Sequence, residues 1–149
     1  MGKIKFLQCR ECKKEYAPTF MYICEECFGP LDVCYDFPAV NKNTFSNREH
    51  TYWRYHELLP IESKSNIVSI GAGMTPLIKA ENLGKSLGLN NLYIKNDSVN
   101  PTFSFKDRPA GIAVSKAKEF GLSAVGCAST GNLASATAAH AAKGGFPCY

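Results

Sequence analysis

The sequence predicts an α/β protein in which an N-terminal four-cysteine zinc ribbon precedes part of a parallel-sheet domain. Two Cys-x-x-Cys pairs near the N-terminus indicate the ribbon, and alternating strand-like and helix-like segments from residue 75 onward indicate the sheet. Hydrophobic residues make up 45% of the 149 residues and charged residues 20%, which is ordinary for a globular protein. The net charge of +4 suits a small anionic ligand as well as nucleic acid, so it excludes neither.

The first 36 residues carry cysteines with the spacing of metal ligands. Cys9 and Cys12 form one pair, and Cys24 and Cys27 form the second. Two such pairs offer four thiolates to one tetrahedral zinc ion, and a segment this short needs a metal because it buries little apolar surface. With four protein ligands no coordination position stays open, so we expect the zinc to be structural. A redox or disulfide role is less well supported, since neither pair lies near a βαβ pattern.

A linker and an aromatic helix are predicted between residues 37 and 60. Ser46 and Glu49 have the spacing of a capping box, which would open a helix that runs towards Leu59 and ends before Pro60.

Strand-like and helix-like segments alternate in the rest of the chain, which predicts a parallel sheet covered by helices. The predicted strands are 75–80, 91–97 and 123–129, and the predicted helices are 81–88, 106–120 and 132–144.

The chain therefore divides into a ribbon (1–36), a linker with a helix (37–60) and an incomplete α/β domain (61–149). The last residues leave a glycine-rich helix end and enter a new strand. We accordingly expect the sequence to be truncated, as the front part of a longer protein.

Ligands of open parallel sheets bind at the carboxyl ends of the strands, and one loop at that edge carries Lys106. The lysine begins a predicted helix, where the helix dipole disfavours positive charge. We expect Phe103 and Phe105 to exclude water from it and Arg108 to add like charge. All three effects favour the neutral amine, which attacks carbonyl carbons, so Lys106 is a Schiff-base candidate.

The second loop at this edge reads Ser-Thr-Gly-Asn. Ser129 and Thr130 offer hydroxyl groups, and Asn132 offers an amide. The loop precedes a helix, whose free N–H groups favour a negatively charged ligand. Taken alone it is more typical of a plain helix cap, but its pairing with the lysine loop favours a binding site.

Several stretches of the sequence resemble the threonine synthase family, pyridoxal-phosphate enzymes of fold type II. The first two are "NPTFSFKDRPAGIAVSKAKEFG" and "CASTGNLASATAAHAAKGG". The cysteine ribbon together with "WRYHELLP", "GAGMTPL" and "LYIKNDSVNPT" is similar to the zinc-ribbon-bearing branch of that family. The resemblance covers nearly the whole chain and implies the first part of a fold type II domain.

The resemblance also implies an activity and roles for the site residues. The family converts O-phospho-L-homoserine and water to L-threonine and phosphate, the last step of threonine biosynthesis. Lys106 would bind pyridoxal 5'-phosphate covalently and later move protons at the substrate's carbons. Asn132 would hydrogen-bond the cofactor's ring oxygen, while Ser129 and Thr130 would help to hold the substrate carboxylate. The loop that binds the cofactor phosphate and the partner of the ring nitrogen would lie beyond Tyr149.

Two positions depart from the family pattern. Many relatives have glycine at Phe103, and many have threonine at Leu133. A related enzyme of the same fold that acts on O-phosphoserine with a different nucleophile, such as a cysteate synthase, is a first alternative, because the residues that separate the two substrates would mostly lie beyond Tyr149.

A zinc-ribbon module that binds nucleic acid or a protein is a second alternative. Acidic residues nearly cancel the basic charge of the ribbon, so we expect no nucleic-acid partner. The sequence has no apolar run of membrane-spanning length and no signal-peptide core. Its seven cysteines suggest the reducing cytoplasm, and a homodimer is possible.

Overall fold

The computed structural model describes residues 3–149, which form a mixed α/β structure. The strands are β1 (Lys3–Cys9), β2 (Glu15–Tyr16), β3 (Leu31–Asp36), β4 (Leu77–Lys79) and β5 (Tyr93–Lys95). The α-helices are α1 (Lys42–Phe45), α2 (Glu81–Leu87), α3 (Asp107–Glu119) and α4 (Asn132–Gly144). Short 3₁₀ segments cover Tyr52–Leu58, Lys64–Asn66 and Asp97–Val99. Within the described range, every helix is too short or too polar to cross a lipid bilayer.

The N-terminal segment forms a three-stranded antiparallel sheet in the order β2-β1-β3. Cys9 pairs with Leu31 at one end of the β1–β3 ladder, and Leu7 pairs with Tyr16 on the other side of β1. Ile4 and Leu7 of the central strand are buried. The sheet thus has a small apolar face, as expected for a short module.

The helix start that was predicted at Ser46 is wrong. The side chain of Asn41 accepts hydrogen bonds from the backbone N–H groups of Asn43 and Thr44, and the N–H of Asn41 donates to the Thr44 hydroxyl. This reciprocal cap opens α1 five residues before the predicted one, because Asn41 satisfies the free N–H groups at that point. The aromatic stretch that follows forms the 3₁₀ segment Tyr52–Leu58.

The alternation of β4, α2 and β5 predicted parallel strands, but β4 and β5 pair antiparallel. Lys79 at the end of β4 lies opposite Tyr93 at the start of β5, so the chain leaves β4 and enters β5 at the same end of the strand pair. The intervening helix has only seven residues and ends at Gly88, whose left-handed backbone (φ +68°) reverses the chain. In a parallel pair, the connection would have to run back to the opposite end of the strands before β5 begins.

One parallel pairing joins the segment before α4 to the segment after it. Val125 N–H donates to the Pro147 carbonyl (3.0 Å), Tyr149 N–H donates to the Val125 carbonyl (3.1 Å), and Cys127 N–H donates to the Tyr149 carbonyl (3.0 Å). The segment 123–129, predicted to be a strand, contributes only this short contact.

Helices α3 and α4 pack in the same direction. A Cβ atom built on Gly111 of α3 would lie 2.8 Å from His140 Cε1 of α4, and one built on Gly144 of α4 would lie 3.3 Å from Val114 Cγ1 of α3. The contacts therefore advance together along both helices, so their N-termini lie at the same end of the pair.

The main apolar cluster lies beneath α3. It contains Tyr52, Trp53, Ile61 and Ala72, with Ile112 of α3 packed against it. A Cβ atom on Gly111 would overlap the hydroxyl group of Tyr52, so the absence of a side chain there lets Tyr52 approach the helix.

An ion pair joins the first turn of α3 to the β4–β5 region. Arg108 donates two hydrogen bonds to Asp97, at 3.0 and 2.8 Å, and the Thr75 hydroxyl donates a third at 2.5 Å. The Arg108 hydrogen bonds lower the pKa of Asp97 to about 2, even though burial opposes the shift. Lys95 adds a hydrogen bond to the Thr75 carbonyl.

We expect Gly111→Ala to destabilise the protein by about 1 to 3 kcal/mol, the usual cost of overpacking. Alanine would gain up to about 1 kcal/mol in helix propensity, but Tyr52 and His140 are buried and cannot move aside cheaply. Chemical denaturation measures the difference. The double variant Tyr52→Phe, Gly111→Ala should recover part of the loss, and a single variant as stable as the wild type would contradict the packing.

We expect Asp97→Asn to lower the free energy of unfolding at pH 7 by about 1 to 2 kcal/mol, allowing for partial solvent screening. The pKa of Asp97 in the folded protein lies below its usual value near 3.8, so the ion pair stabilises the fold fully above that pH. The gap between wild type and variant should therefore close as the pH falls towards 2. Denaturation series at several pH values test this, and a gap that widens in acid would contradict it.

Candidate active site and metal centre

The loop before Lys106 is built on a buried asparagine. Asn100 is 2% exposed; its side-chain oxygen accepts from Gly73 N–H (2.9 Å), and its amide donates to the Asp97 carbonyl (3.0 Å). Its own carbonyl accepts from Phe103 N–H at 2.8 Å. These bonds fix the point from which the loop starts.

The far end of the loop is closed by the first residue of α3. The carboxylate of Asp107 accepts from Thr102 N–H (2.8 Å) and from the Thr102 hydroxyl (2.9 Å), and Asp107 is fully buried. Lys106 N–H donates to the buried Ser104 hydroxyl at 3.2 Å. The backbone of Lys106 is thus held on both sides.

The side chain of Lys106 is half-buried, and its Nζ lies 4.3 Å from the ring centroid of Phe105. The ring of Phe105 is 54% exposed and that of Phe103 is 79% exposed, so neither excludes water in the way the sequence suggested. The charge of Arg108 is balanced by Asp97, so the predicted like-charge effect is also weaker than expected. The two rings therefore shield Lys106 from water only in part.

Phe103 has a left-handed backbone conformation with φ +59°. This region favours glycine, and a phenylalanine there costs roughly 1 kcal/mol in local strain. The neighbouring hydrogen bonds of Thr102 and Ser104 hold the loop in this conformation.

The second loop precedes α4, which begins at Asn132 as predicted. Ser129 Oγ accepts from Gly131 N–H at 3.3 Å, and no side chain caps the helix within the described residues. Thr130 and Asn132 are exposed, and Ser129 is half-buried. The free N–H groups and hydroxyl groups offer hydrogen-bond donors to an anionic group.

The parallel packing of α3 and α4 brings the two loops to the same end of the helix pair. Lys106 precedes Asp107, which faces His140 about two turns into α4, so the two loops lie towards the same end of the pair but offset along it. They combine one amine with several donors suited to carboxylate or phenolate oxygen atoms.

A buried histidine that was not among the predicted site residues lies behind this site. His140 of α4 is fully buried, and its Nε2 lies 3.5 Å from the Asp107 carboxylate. The one sign of it in the sequence is a single histidine within an alanine-rich segment. Its partner Asp107 lies 33 positions earlier, too far for a local pattern to connect the two.

The four cysteines of the predicted metal site come together. The Sγ atoms of Cys9, Cys12, Cys24 and Cys27 lie within 4.8 Å of one another. Two of the distances are 3.4 Å (Cys9–Cys27) and 3.5 Å (Cys12–Cys24), close to the ~3.8 Å edge of a tetrahedral zinc–thiolate site.

The two cysteine loops have the same backbone geometry. The fourth residue after each leading cysteine donates its N–H to the carbonyl of that cysteine: Lys13 to Cys9 (3.1 Å) and Phe28 to Cys24 (3.0 Å). Both donors have left-handed backbones, with φ values of 63° and 59°. This repetition sets two thiols from each loop towards a common point.

The electrostatics of the cluster favour thiolate at Cys24. Burial alone would raise the pKa of Cys24, but hydrogen bonds from the Tyr16 hydroxyl and from backbone N–H groups lower it to about 6. The Tyr16 oxygen lies 3.0 Å from Cys24 Sγ. Thiolate is the form that binds metal, so Cys24 suits a metal ligand, whereas at Cys12 a backbone hydrogen bond from Lys14 is outweighed by desolvation and the neighbouring thiols, which raise the pKa to about 12. The case that all four residues fit a metal ion therefore rests on the spacing of their sulfur atoms.

Comparison with known proteins identifies the family of the chain. A family model described as "Pyridoxal-phosphate dependent enzyme" matches residues 68–149, more than half of the chain. The chain is 43% identical over 146 residues to a threonine synthase of Methanocaldococcus jannaschii, covering 95% of this chain and 36% of that protein. It is 41% identical over 144 residues to a threonine synthase of Methanosarcina acetivorans, covering 95% and 35%.

A threonine synthase of Halalkalibacterium halodurans is 47% identical over 94 residues, covering 63% of this chain and 26% of that protein. The chain thus spans about a third of the length of the archaeal relatives and corresponds to the N-terminal part of a threonine synthase. The matched residues include both loops at the end of the α3–α4 pair, and the chain belongs to the family of pyridoxal-phosphate dependent enzymes.

Proposed function

We propose that this chain is the N-terminal part of an enzyme that converts O-phospho-L-homoserine and water to L-threonine and phosphate. The proposal rests on one observation above all, the placement of Lys106 and the second loop at one end of the α3–α4 pair. The similarity to archaeal threonine synthases over 95% of the chain supports the choice of reaction.

Lys106 would hold pyridoxal 5'-phosphate covalently and move protons at the substrate's carbons. Its side chain is half-buried, and its backbone is held by Ser104 and by the loop that Thr102 and Asp107 close, so the nucleophile would meet a ligand from a defined position. When bound, the cofactor supplies an electron sink that stabilises negative charge on substrate carbons.

The second loop would orient the cofactor and the substrate. Asn132 has an exposed amide at the start of α4, suited to a hydrogen bond with the cofactor's ring oxygen. Ser129 and Thr130 have hydroxyl groups beside uncapped N–H groups, suited to the substrate carboxylate.

The fold proposal is a fold type II domain with a parallel sheet that follows a zinc ribbon. The parallel pairing of 125–127 with 147–149, before and after α4 in the chain, supports the sheet. We retain the division into 1–36, 37–60 and 61–149; β3 ends at Asp36, and the family match begins at residue 68.

The proposed metal is one structural zinc ion held by the four clustered cysteines. Four thiols of suitable spacing leave no position for substrate, and all seven cysteines of the chain are free thiols. Free thiols also support a cytoplasmic location.

Measuring products from two substrates separates this proposal from its enzymatic alternative. We expect the complete protein to release phosphate and form threonine from O-phosphohomoserine. Faster turnover of O-phosphoserine with another nucleophile would favour the cysteate synthase-like alternative instead.

We expect borohydride reduction of the cofactor-loaded protein to label a peptide that contains Lys106, and Lys106→Ala to abolish both label and turnover. Lys116→Ala is the matched control, since Lys116 lies on the same helix and pairs with Glu119. Absorbance and peptide mass spectrometry measure the result. Asn132→Ala should keep the covalent link but shift its absorbance and slow turnover. A label on another lysine would refute the assignment.

We expect protein purified under reducing conditions to contain one zinc ion per chain. Cys24→Ser should lose the metal, because it removes a buried thiolate ligand, and should unfold the N-terminal sheet. Cys34→Ser is the matched control, since Cys34 lies on β3 outside the cluster and should retain the metal. Elemental analysis with circular dichroism measures both, and a metal-free wild type would contradict the proposed centre.

A further inference from the structure

A buried polar pair lies directly behind Lys106. Asp107 and His140 are both fully buried, and they face each other across the α3–α4 contact with Nε2 of the histidine 3.5 Å from Oδ1 of the aspartate. The distance is a few tenths of an ångström longer than a usual N–H···O hydrogen bond. Burying a polar side chain costs free energy unless hydrogen bonds satisfy it. A buried aspartate and histidine side by side therefore call for an explanation.

On one side, the pair controls the loop that carries Lys106. Each carboxylate oxygen of Asp107 accepts a hydrogen bond from Thr102, one from its N–H and one from its hydroxyl. These two bonds close residues 102–107 into a compact loop. The position of the Asp107 carboxylate therefore sets the position of the Lys106 backbone.

On the other side, the pair is anchored in α4. His140 lies eight residues after Asn132, the first residue of that helix. Among residues 3–149, neither ring nitrogen of His140 has a hydrogen-bond partner, and the carboxylate of Asp107 is the acidic group that it faces. Because α4 is a rigid rod, a fixed His140 also fixes where Asn132 stands.

The imidazole cannot slide away from the carboxylate. A Cβ atom on Gly111 would lie 2.8 Å from His140 Cε1 and would overlap the Tyr52 hydroxyl, so these groups are already in close contact with α3. Burial lowers the pKa of His140, which favours the neutral ring beside Asp107.

We propose that Asp107 and His140 are positioning residues that together set the placement of Lys106 relative to Asn132. The proposal rests on the proposed function only in that it takes Lys106 and Asn132 as the residues to be aligned. Helix α4 connects Asn132 to His140, His140 lies against Asp107 across the helix contact, and Asp107 accepts hydrogen bonds from Thr102 at the start of the lysine loop.

Two measurements on the complete protein, freed of cofactor, test the pair without any need for turnover. The first is the hydrogen-exchange rate of the Thr102 amide, which donates directly to Asp107. The second is the rate at which limiting acetic anhydride acetylates Lys106, relative to the exposed Lys143 as an internal reference. Both are made well below each variant's unfolding midpoint, so that global unfolding does not contribute.

We expect His140→Leu and Asp107→Asn each to speed exchange at Thr102 by about tenfold, because each change disturbs the Asp107 carboxylate that accepts the Thr102 hydrogen bonds. The acetylation ratio of Lys106 should change in both variants. His140→Gln keeps an N–H donor and should return both readouts towards wild type. In the cofactor-loaded protein, His140→Leu should shift the absorbance as Asn132→Ala does.

Ser115→Ala is the matched control for a general loss of stability. Ser115 is also fully buried on α3, and its hydroxyl joins Val68 N–H (2.8 Å) to the Gly111 carbonyl (2.7 Å), away from the lysine loop. It should lower the unfolding midpoint and leave both readouts unchanged.

If His140→Leu leaves both readouts at their wild-type values, the positioning role is refuted and His140 only fills space in the core. Equal changes in Ser115→Ala would also overturn it, since the effect would then follow stability. Because exchange and acetylation need no cofactor, a finding that Lys106 does not bind pyridoxal phosphate would refute the proposed function while leaving this test interpretable.

Discussion

The close approach of α3, α4 and the 3₁₀ segment at Gly111 is the constraint on which the rest of this structure depends. Without a side chain at that position, the ring of Tyr52 and the imidazole of His140 both lie against the helix backbone. The contact sets the two helices side by side in the same direction. It therefore places the two loops of the proposed site towards the same end of the helix pair.

The region behind the site is unusually polar for a protein core. Neither the Tyr52 hydroxyl nor the His140 ring has a hydrogen-bond partner within residues 3–149. Burial, and then the charge of Asp107, raise the pKa of Tyr52, so it stays a protonated donor. These unpartnered groups and the left-handed backbone of Phe103 each lower the stability of the folded protein near Lys106. Such costs are typical of functional sites, where geometry matters more than stability.

Local patterns in the sequence predicted much of this structure. Helix 132–144 and the cysteine cluster follow from periodicity and spacing, which involve residues close together in the chain. The sequence did not reveal the antiparallel sense of β4 and β5 or the exposure of Phe103, because both depend on distant contacts. Asn41 displaced the expected cap at Ser46 because two good capping residues compete within one short segment.

The ribbon and the lysine loop contact opposite ends of α3. The ring of Phe20, between the two cysteine pairs, lies 5.5 Å from the ring of Phe120 at the end of the helix, while Lys106 precedes its start. The helix between them is about 20 Å long. The proposed metal and cofactor sites would therefore share no ligand, so the occupancy of each has to be measured separately.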